Sequence, residues 1–443
     1  MTIKRKLIHS ERFIHLLDDP TLKPVSLTFS ISVKGNIPEE RVRIALEKLQ
    51  TKHPALRAHL KGKYVYYEDS GYPPISVQIE ERVSENTWQE LKGKFINEPY
   101  NCEEGPLMKL LWVRSDKISE FVFNALHVIA DWKSCILIIK EFYEYLNFPD
   151  KEVKPYLPIR SLNELMEGEK LTILEKIIAP WIFEKMRRGF VKGAKGKKQE
   201  HPQHYHISSY ASSELTQKLT KLCKENKVYI GSLFCILVLR IFKKHFNPEK
   251  SVRKIHMSLD QRRYFPPLKK DMLFAAGAVL FPNVRIIDGM DVWKMARTFD
   301  EMLYERTVVL PRDPNHPKIV TRKDRVLYSF RKSLLITEYF NRMIKEMINF
   351  KKNTDDGNDF IFYNLGKPFP LPKNPEYEMN KVYAPEIYLP FHNPTTFGFG
   401  FGYDDNLIFA FIGNELHIPK EKMELIFSEF NEALDEIVKD VKI

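Results

Sequence analysis

The chain has 443 residues, 43% of them hydrophobic and 29% charged, which is too long for one ordinary core and too apolar for disorder, so about two domains are expected. No run of about 18 apolar residues occurs, so no membrane-spanning helix is expected, and MTIKRKLIHSERF does not read as a secretory signal. The formal charge of +11, with a pI near 9.1, favours an anionic partner: an acidic protein, a phosphate-bearing small molecule, a membrane surface or nucleic acid. Zinc-finger spacing, RNP aromatics and a Walker loop are missing from the sequence, so no nucleic-acid partner is expected.

The first strand is VSLTFSISV at 25–33, where Val25, Leu27, Phe29, Ile31 and Val33 alternate with small or polar residues. Pro38, Glu39 and Glu40 open a helix to about His53, with Val42, Ala45, Leu46 and Leu49 on one face. A short helix at 86–97 gathers Trp88, Leu91 and Phe95, and strands follow at 106–114 and 120–126. A long apolar helix then runs from about Asp131 to Leu146.

Residues 150–203 change in texture. LTILEKIIAPWIFEKM reads as an oily helix, kinked or interrupted at Pro180, that runs into the basic segment 181–203. The segment 170–198 has the composition of an interfacial helix, which allows peripheral membrane contact, although packing on a domain seam is the simpler reading. The second half repeats the mixture of strands and helices. Strands are predicted near 204–210, 252–259, 276–287, 359–364, 384–391, 396–403 and 406–413, with helices near 213–225, 231–246 and 291–306. It closes on a helix that spaces Met423, Ile426, Phe427, Phe430, Leu434 and Ile437 on one side. Mixed elements in both halves point to two α/β sandwich domains rather than a doubly wound sheet. The domains expected are 1–180 and 204–443, with 181–203 as a basic crossover.

Cys102, Cys135, Cys223 and Cys235 form no CxxC pair. Cys135 and Cys235 lie in apolar runs, as buried free thiols of a reducing cytoplasm do, so neither a disulfide framework nor a metal site is expected. His201, His204 and His206 in HPQHYH have no acid or cysteine beside them and read as an exposed strand rather than metal ligands.

The segment that carries chemistry is EFVFNALHVIADWKS, 120–134. A strand ends, His127 stands in the turn, and Asp131 follows as a helix begins. General-base catalysis needs an imidazole held in one tautomer and aimed at the reacting group. A strand-to-helix turn is a fixed platform for one, and Asp131 would hold the turn or favour the helix N-terminus. A lone H-x-x-x-D also arises by chance, and alone it does not establish catalysis.

Two preceding stretches, IALEKLQTKHPALRAHL at 44–60 and EGPLMKLLWVRS at 104–115, stand in order before HVIAD. GSLFCILVLRIFKKHF at 231–246 and FIFYNLGKPF at 361–370 follow it. This ordered set resembles the chloramphenicol-acetyltransferase-like superfamily of condensation domains, wax ester synthases and polyketide-associated acyltransferases, over roughly residues 10–435. The resemblance implies two α/β sandwich domains forming a V with a central tunnel and an HxxxD motif midway. It implies an acyltransferase that takes an acyl-CoA or phosphopantetheinyl (acyl carrier protein) thioester to a hydroxyl or amine acceptor, with no bound cofactor and no metal. His127 would be the base. Asp131 would be structural and pair with Arg57, while Asn364, Trp132 and Arg262 would lie along the substrate path. Trp132 stands where the family commonly has glycine, and Leu126 where it has a first histidine. An indole there would narrow the opening for the acyl-carrying arm, so a non-catalytic carrier-protein or lipid-binding relative is the alternative.

Overall fold

The computed structural model describes residues 2–17, 25–168, scattered positions from 170 to 181, 204–246, 248–260, 262, 265–275, 277–280, 282–307, 360–364, 371–388, 396–401, 406–415 and 418–441. The basic segment 182–203, most of the 170–181 stretch and the turn at Asp404-Asp405 lie outside the described residues.

The first half runs β1 (Thr2–Lys6), α1 (His9–Leu17), β2 (Ser26–Lys34), α2 (Glu39–Lys52), a 3-10 turn (Pro54–Arg57), β3 (Ala58–Lys61), β4 (Tyr64–Glu68), β5 (Ser76–Glu81), α3 (Thr87–Phe95), β6 (Met108–Arg114), β7 (Ile118–Leu126), α4 (Trp132–Asn147) and α5 (Leu162–Leu165). The second runs β8 (His204–Tyr210), α6 (Ser213–Glu225), α7 (Ile230–His245), β9 (Val252–Asp260), β10 (Gly277–Leu280), β11 (Asn283–Arg285) and α8 (Val292–Thr307). It continues through β12 (Phe360–Asn364), β13 (Met379–Val382), β14 (Glu386–Tyr388), β15 (Thr396–Phe401), β16 (Leu407–Asn414) and α9 (Lys420–Val438).

Three sheets organise these elements. The first has the order β13-β2-β7-β6-β5, with β14 also on β2; the second has β10-β9-β12-β15-β16-β8, with β11 also on β9; a small third sheet is β1-β4-β3. On the first sheet α2 and α4 cover one face, where Phe142 meets Phe121 and Phe123 edge-on at 5.0 Å. The other face is covered around α3, whose Trp88 and Phe95 pack with Leu111, Val113 and Val122. Against the second sheet Phe234 of α7 is wedged edge-on between Phe399 and Phe409 of the strands and Phe430 of α9.

The alternation in β2 therefore does not mark a solvated face. Ser26, Thr28, Ser30 and Ser32 are as buried as the apolar row opposite. Their hydroxyls are given partners instead of water, as where the Asn124 amide donates to Ser26 and Thr28 at 3.0 and 2.8 Å. The predicted strand at 276–287 is two short strands, both on β9.

The two halves are interlocked. β13 and β14 leave the second half in sequence and pair antiparallel with β2 of the first sheet. The segment after β9 crosses back as well. Asp271 accepts from Tyr156 Oη at 2.6 Å and lies 3.3 Å from Lys52. Phe265, Leu268, Met272 and Phe274 join Ile8, Ile159, Leu165 and Met166 in one cluster.

Candidate active site

Strand β7 is buried along nearly its whole length, so its C-terminal end is held by two neighbours, β2 and β6. The backbone N–H of His127 continues that pairing by donating to Val25 O at 2.9 Å. The chain then turns through Val128, Ile129 and Ala130, all buried, while His127 is half-buried. Nδ1 of His127 stands 2.7 Å from the carbonyl of Ala130. A carbonyl only accepts, so Nδ1 carries the proton of the neutral ring and Nε2 carries the lone pair. Behind the turn lies a small cavity whose wall includes Val128, Ile129, Leu60, Val65, Met272 and Phe274, together with Glu11 and Tyr67.

Asp131 is the N-cap of α4. Its Oδ1 accepts from the backbone N–H and the hydroxyl of Ser134, both at 2.8 Å. The same carboxylate takes a two-point contact from Arg262, Nη1 to Oδ2 at 2.7 Å and Nη2 to Oδ1 at 2.9 Å. Burial pushes the Asp131 carboxyl up, but the charge and hydrogen bonds of Arg262, with those of Ser134, overcome this and hold it below its ordinary value. Arg262 is likewise disfavoured by burial, yet Asp131 and Asp260 raise it above the usual guanidinium range.

This geometry corrects two assignments. Arg57 is not the partner of Asp131. The 3-10 turn Pro54–Arg57 buries Leu56 and turns Arg57 outward, where Nη1 reaches Asp69 O at 3.4 Å and the guanidinium lies 5.4 Å over the Tyr72 ring. Arg262 is not free to meet a substrate either. Besides Asp131, its Nε donates to Met272 O, its Nη2 to Ser134 Oγ and Phe274 O, each at 2.9 Å, and its Nη1 to Asp260 at 3.0 Å. With every nitrogen engaged inside the protein, it joins β9 and the 272–274 segment to the start of α4.

Trp132, the first residue of α4, stacks flat on Tyr363 of β12, with centroids 4.1 Å apart and planes at 5°. Tyr363 is buried and donates to Pro385 O at 3.0 Å. Its ring passes over Gly398 of β15, where a Cβ would fall 1.8 Å from the tyrosine Cζ. Asn364, next along the strand, is turned to the opposite face, where its Nδ2 lies 3.6 Å from a Cβ built on Gly231 at the start of α7. Trp132 and Asn364 are thus on opposite faces of β12. Sequence reasoning missed Tyr363; the alternating glycines of TFGFGF in β15 were its signal, since a glycine opposite an aromatic leaves room for the ring to lie across the strand.

A second polar cluster, also unread from the sequence, secures the middle of α4. His53 is fully buried with Nε2 2.6 Å from Glu141, which also receives Lys52 Nζ at 2.6 Å. Burial lowers the His53 pKa despite Glu141. Of the histidines in HPQHYH, His201 lies outside the described residues and His206 is partly exposed, with Nδ1 3.4 Å from Glu386. Among the described residues no three His, Cys, Asp or Glu side chains are grouped to hold a metal. No helix of the described residues is long and apolar enough to cross a membrane.

No family model and no curated protein sequence matches the chain. Solved structures do. Trichothecene 15-O-acetyltransferase from Fusarium sporotrichioides superposes with a TM-score of 0.73 at 10% identity, over 98% of this chain and 95% of its own. The first condensation domain of the calcium-dependent antibiotic synthetase gives 0.71 at 11% identity, covering 99% and 97%. Polyketide synthase associated protein 5 from Mycobacterium tuberculosis gives 0.62 at 14% identity, covering 98% of each chain. The chain therefore has the chloramphenicol-acetyltransferase-like fold that condensation domains and stand-alone acyltransferases share.

Proposed function

We propose that this protein is an acyltransferase that moves an acyl group from a CoA or acyl-carrier thioester to a hydroxyl or amine acceptor, with His127 as general base. The observation that carries the reading is the division of labour in the turn. Asp131 is consumed by Arg262 and Ser134, whereas the half-buried His127 ring is locked by Ala130 O with Nε2 left to accept a proton.

In the mechanism His127 Nε2 removes the acceptor proton as the acceptor oxygen or nitrogen attacks the thioester carbonyl. A tetrahedral oxyanion forms, the C–S bond breaks, and the imidazolium returns its proton to the leaving thiolate. Neither an acyl-enzyme nor a metal is needed. Proton transfer of this kind contributes about 10²–10⁴-fold, with alignment of the two substrates contributing further.

The test is acceptor-dependent thiol release from acyl-CoA and acyl-carrier donors, wild type against His127→Ala. A folded variant that loses about two to four orders of magnitude supports the reading. Equal release from both proteins removes His127 from the role. Silence across donors with carrier or lipid still bound favours the non-catalytic alternative, for which Trp132 against Tyr363 is the specific reason.

A further inference from the structure

The small sheet has one buried and one outward face. Arg5, Ala58, Leu60, Val65 and Tyr67 point inward, and Leu60 and Val65 share the cavity with Val128 and Ile129, the residues just after His127. The outward rows are fixed by the pairing register. Lys6, Tyr64 and Lys61 form one row and Lys4, Tyr66 and His59 the next, with Thr2 and Glu68 last. Lys63 lies in the hairpin turn, and all four lysines are exposed.

The charge on this face is polarised. Lys4, Lys6, Lys61 and Lys63 crowd the hairpin end around Tyr64, with the Lys4 ammonium 4.2 Å and the Lys63 ammonium 5.7 Å from its ring centre. Glu68 stands in the last row, at the opposite end, while Glu103 and Glu104 follow Cys102 on the turn along the outer edge of β3, where Cys102 O accepts from Leu60 N. The rings are already engaged, since His59 stacks on Tyr66 at 5.0 Å and 4° while Lys4 also lies 5.4 Å from Tyr66. A platform for nucleobases leaves its aromatic faces open, and a surface that inserts into a bilayer presents a continuous apolar face of residues such as Trp, Phe and Leu. This face does neither. What remains is a rigid basic corner of the kind that steers an acidic protein by charge.

We infer that the basic corner formed by Lys4, Lys6, Lys61 and Lys63 is the docking surface for an acidic acyl carrier protein. The inference rests on the acyl-transfer reading and specifies its donor. Docking here puts the carrier on the outside of a single sheet whose inner side chains reach the His127 turn.

The experiment compares wild type with a Lys4→Glu/Lys6→Glu/Lys61→Glu/Lys63→Glu variant and with the corresponding fourfold Lys→Gln variant. The donors are a panel of octanoyl-loaded acyl carrier proteins, octanoyl-CoA and octanoyl-pantetheine. At about 50 mM salt the KM for the carrier-bound donor should rise at least about tenfold in the Glu variant and less in the Gln variant, with kcat unchanged. Octanoyl-pantetheine transfer should be unaltered, and the advantage of wild type should vanish near about 0.5 M salt. An unchanged carrier KM overturns the inference. So does an equal loss with octanoyl-CoA, which would assign the corner to the phosphates of CoA, or a loss confined to binding of anionic vesicles or RNA. If no donor reacts, titration with the unloaded carriers decides. Binding by wild type but not by the Glu variant keeps the docking surface and rejects the transferase, whereas no binding by either overturns the docking surface.

Discussion

At the scale of single residues, the turn 127–134 carries a buried ion pair four residues after the half-buried His127. Asp131 and Arg262 have side chains only 6% and 2% exposed, so either partner left alone is a buried charge. Asp131→Asn should destabilise the protein by about 3–5 kcal/mol, read as a lowered urea midpoint at neutral pH. The sign of the pH dependence follows from the depressed carboxyl. The native state binds fewer protons than the unfolded chain, so this stabilisation is complete above the ordinary Asp value of about 3.9 and is lost as pH falls through the folded value. The gap between wild type and Asp131→Asn should therefore narrow below about pH 4. A gap independent of pH down to acid unfolding would mean that the pair adds nothing through ionisation. The histidine of this turn was legible in the sequence because a strand end followed by an apolar helix is a local pattern. The partner of Asp131 was not, because both Arg57 and Arg262 offer the same charge and only placement in space distinguishes them.

At the scale of elements, α4 is fixed at its start by Arg262 and by the Trp132–Tyr363 stack, and at its middle by His53 and Lys52 through Glu141. That stack depends on β15 having no side chain at Gly398. Gly398→Ala should cost at or above the upper end of the about 1–3 kcal/mol typical of overpacking. Tyr363→Ala/Gly398→Ala should be no less stable than Tyr363→Ala alone, since the clash disappears with the ring. Denaturant melts of the three variants check this, and simple additivity would show that the glycine serves another purpose. The strand FIFYN and the glycine-rich strand TFGFGF were both readable from composition. Their parallel register, which sets Tyr363 opposite Gly398, was not, since a local alternation has no information about which strand lies alongside.

At the scale of the whole molecule, the core of the first half is completed by strands from the second. β2 is an inner strand only because β13 and β14, from the other end of the chain, pair with it. Without them a nine-residue strand with buried faces on both sides becomes a sheet edge, the kind of edge that aggregates. Residues 1–203 expressed alone should be insoluble or self-associated, and co-expression with 204–443 should recover a soluble complex, as gel filtration would show. A monomeric, cooperatively folding 1–203 fragment would contradict this account of the interlock.

The sequence by itself determined the long helices, the strands β2, β6 to β9, β12, β15 and β16, the buried thiols of Cys135 and Cys235 and the strand-to-helix turn at His127, because each rests on spacing within a few residues, where periodicity and capping act. The short strands β1, β3, β4, β5 and β13 left no such pattern. The sequence also carried the ordered motifs whose resemblance anticipated the fold. The tertiary structure alone decided what those elements are buried against: the pairing of Asp131 with Arg262, 131 residues away, the ring beneath Trp132, and the two late strands completing the first sheet. Hydrophobic pattern states that a face must leave water, which is a property of the segment. Which surface receives it is a property of the packed chain, settled by shape, hydrogen-bond satisfaction and charge pairing between segments that the sequence keeps far apart.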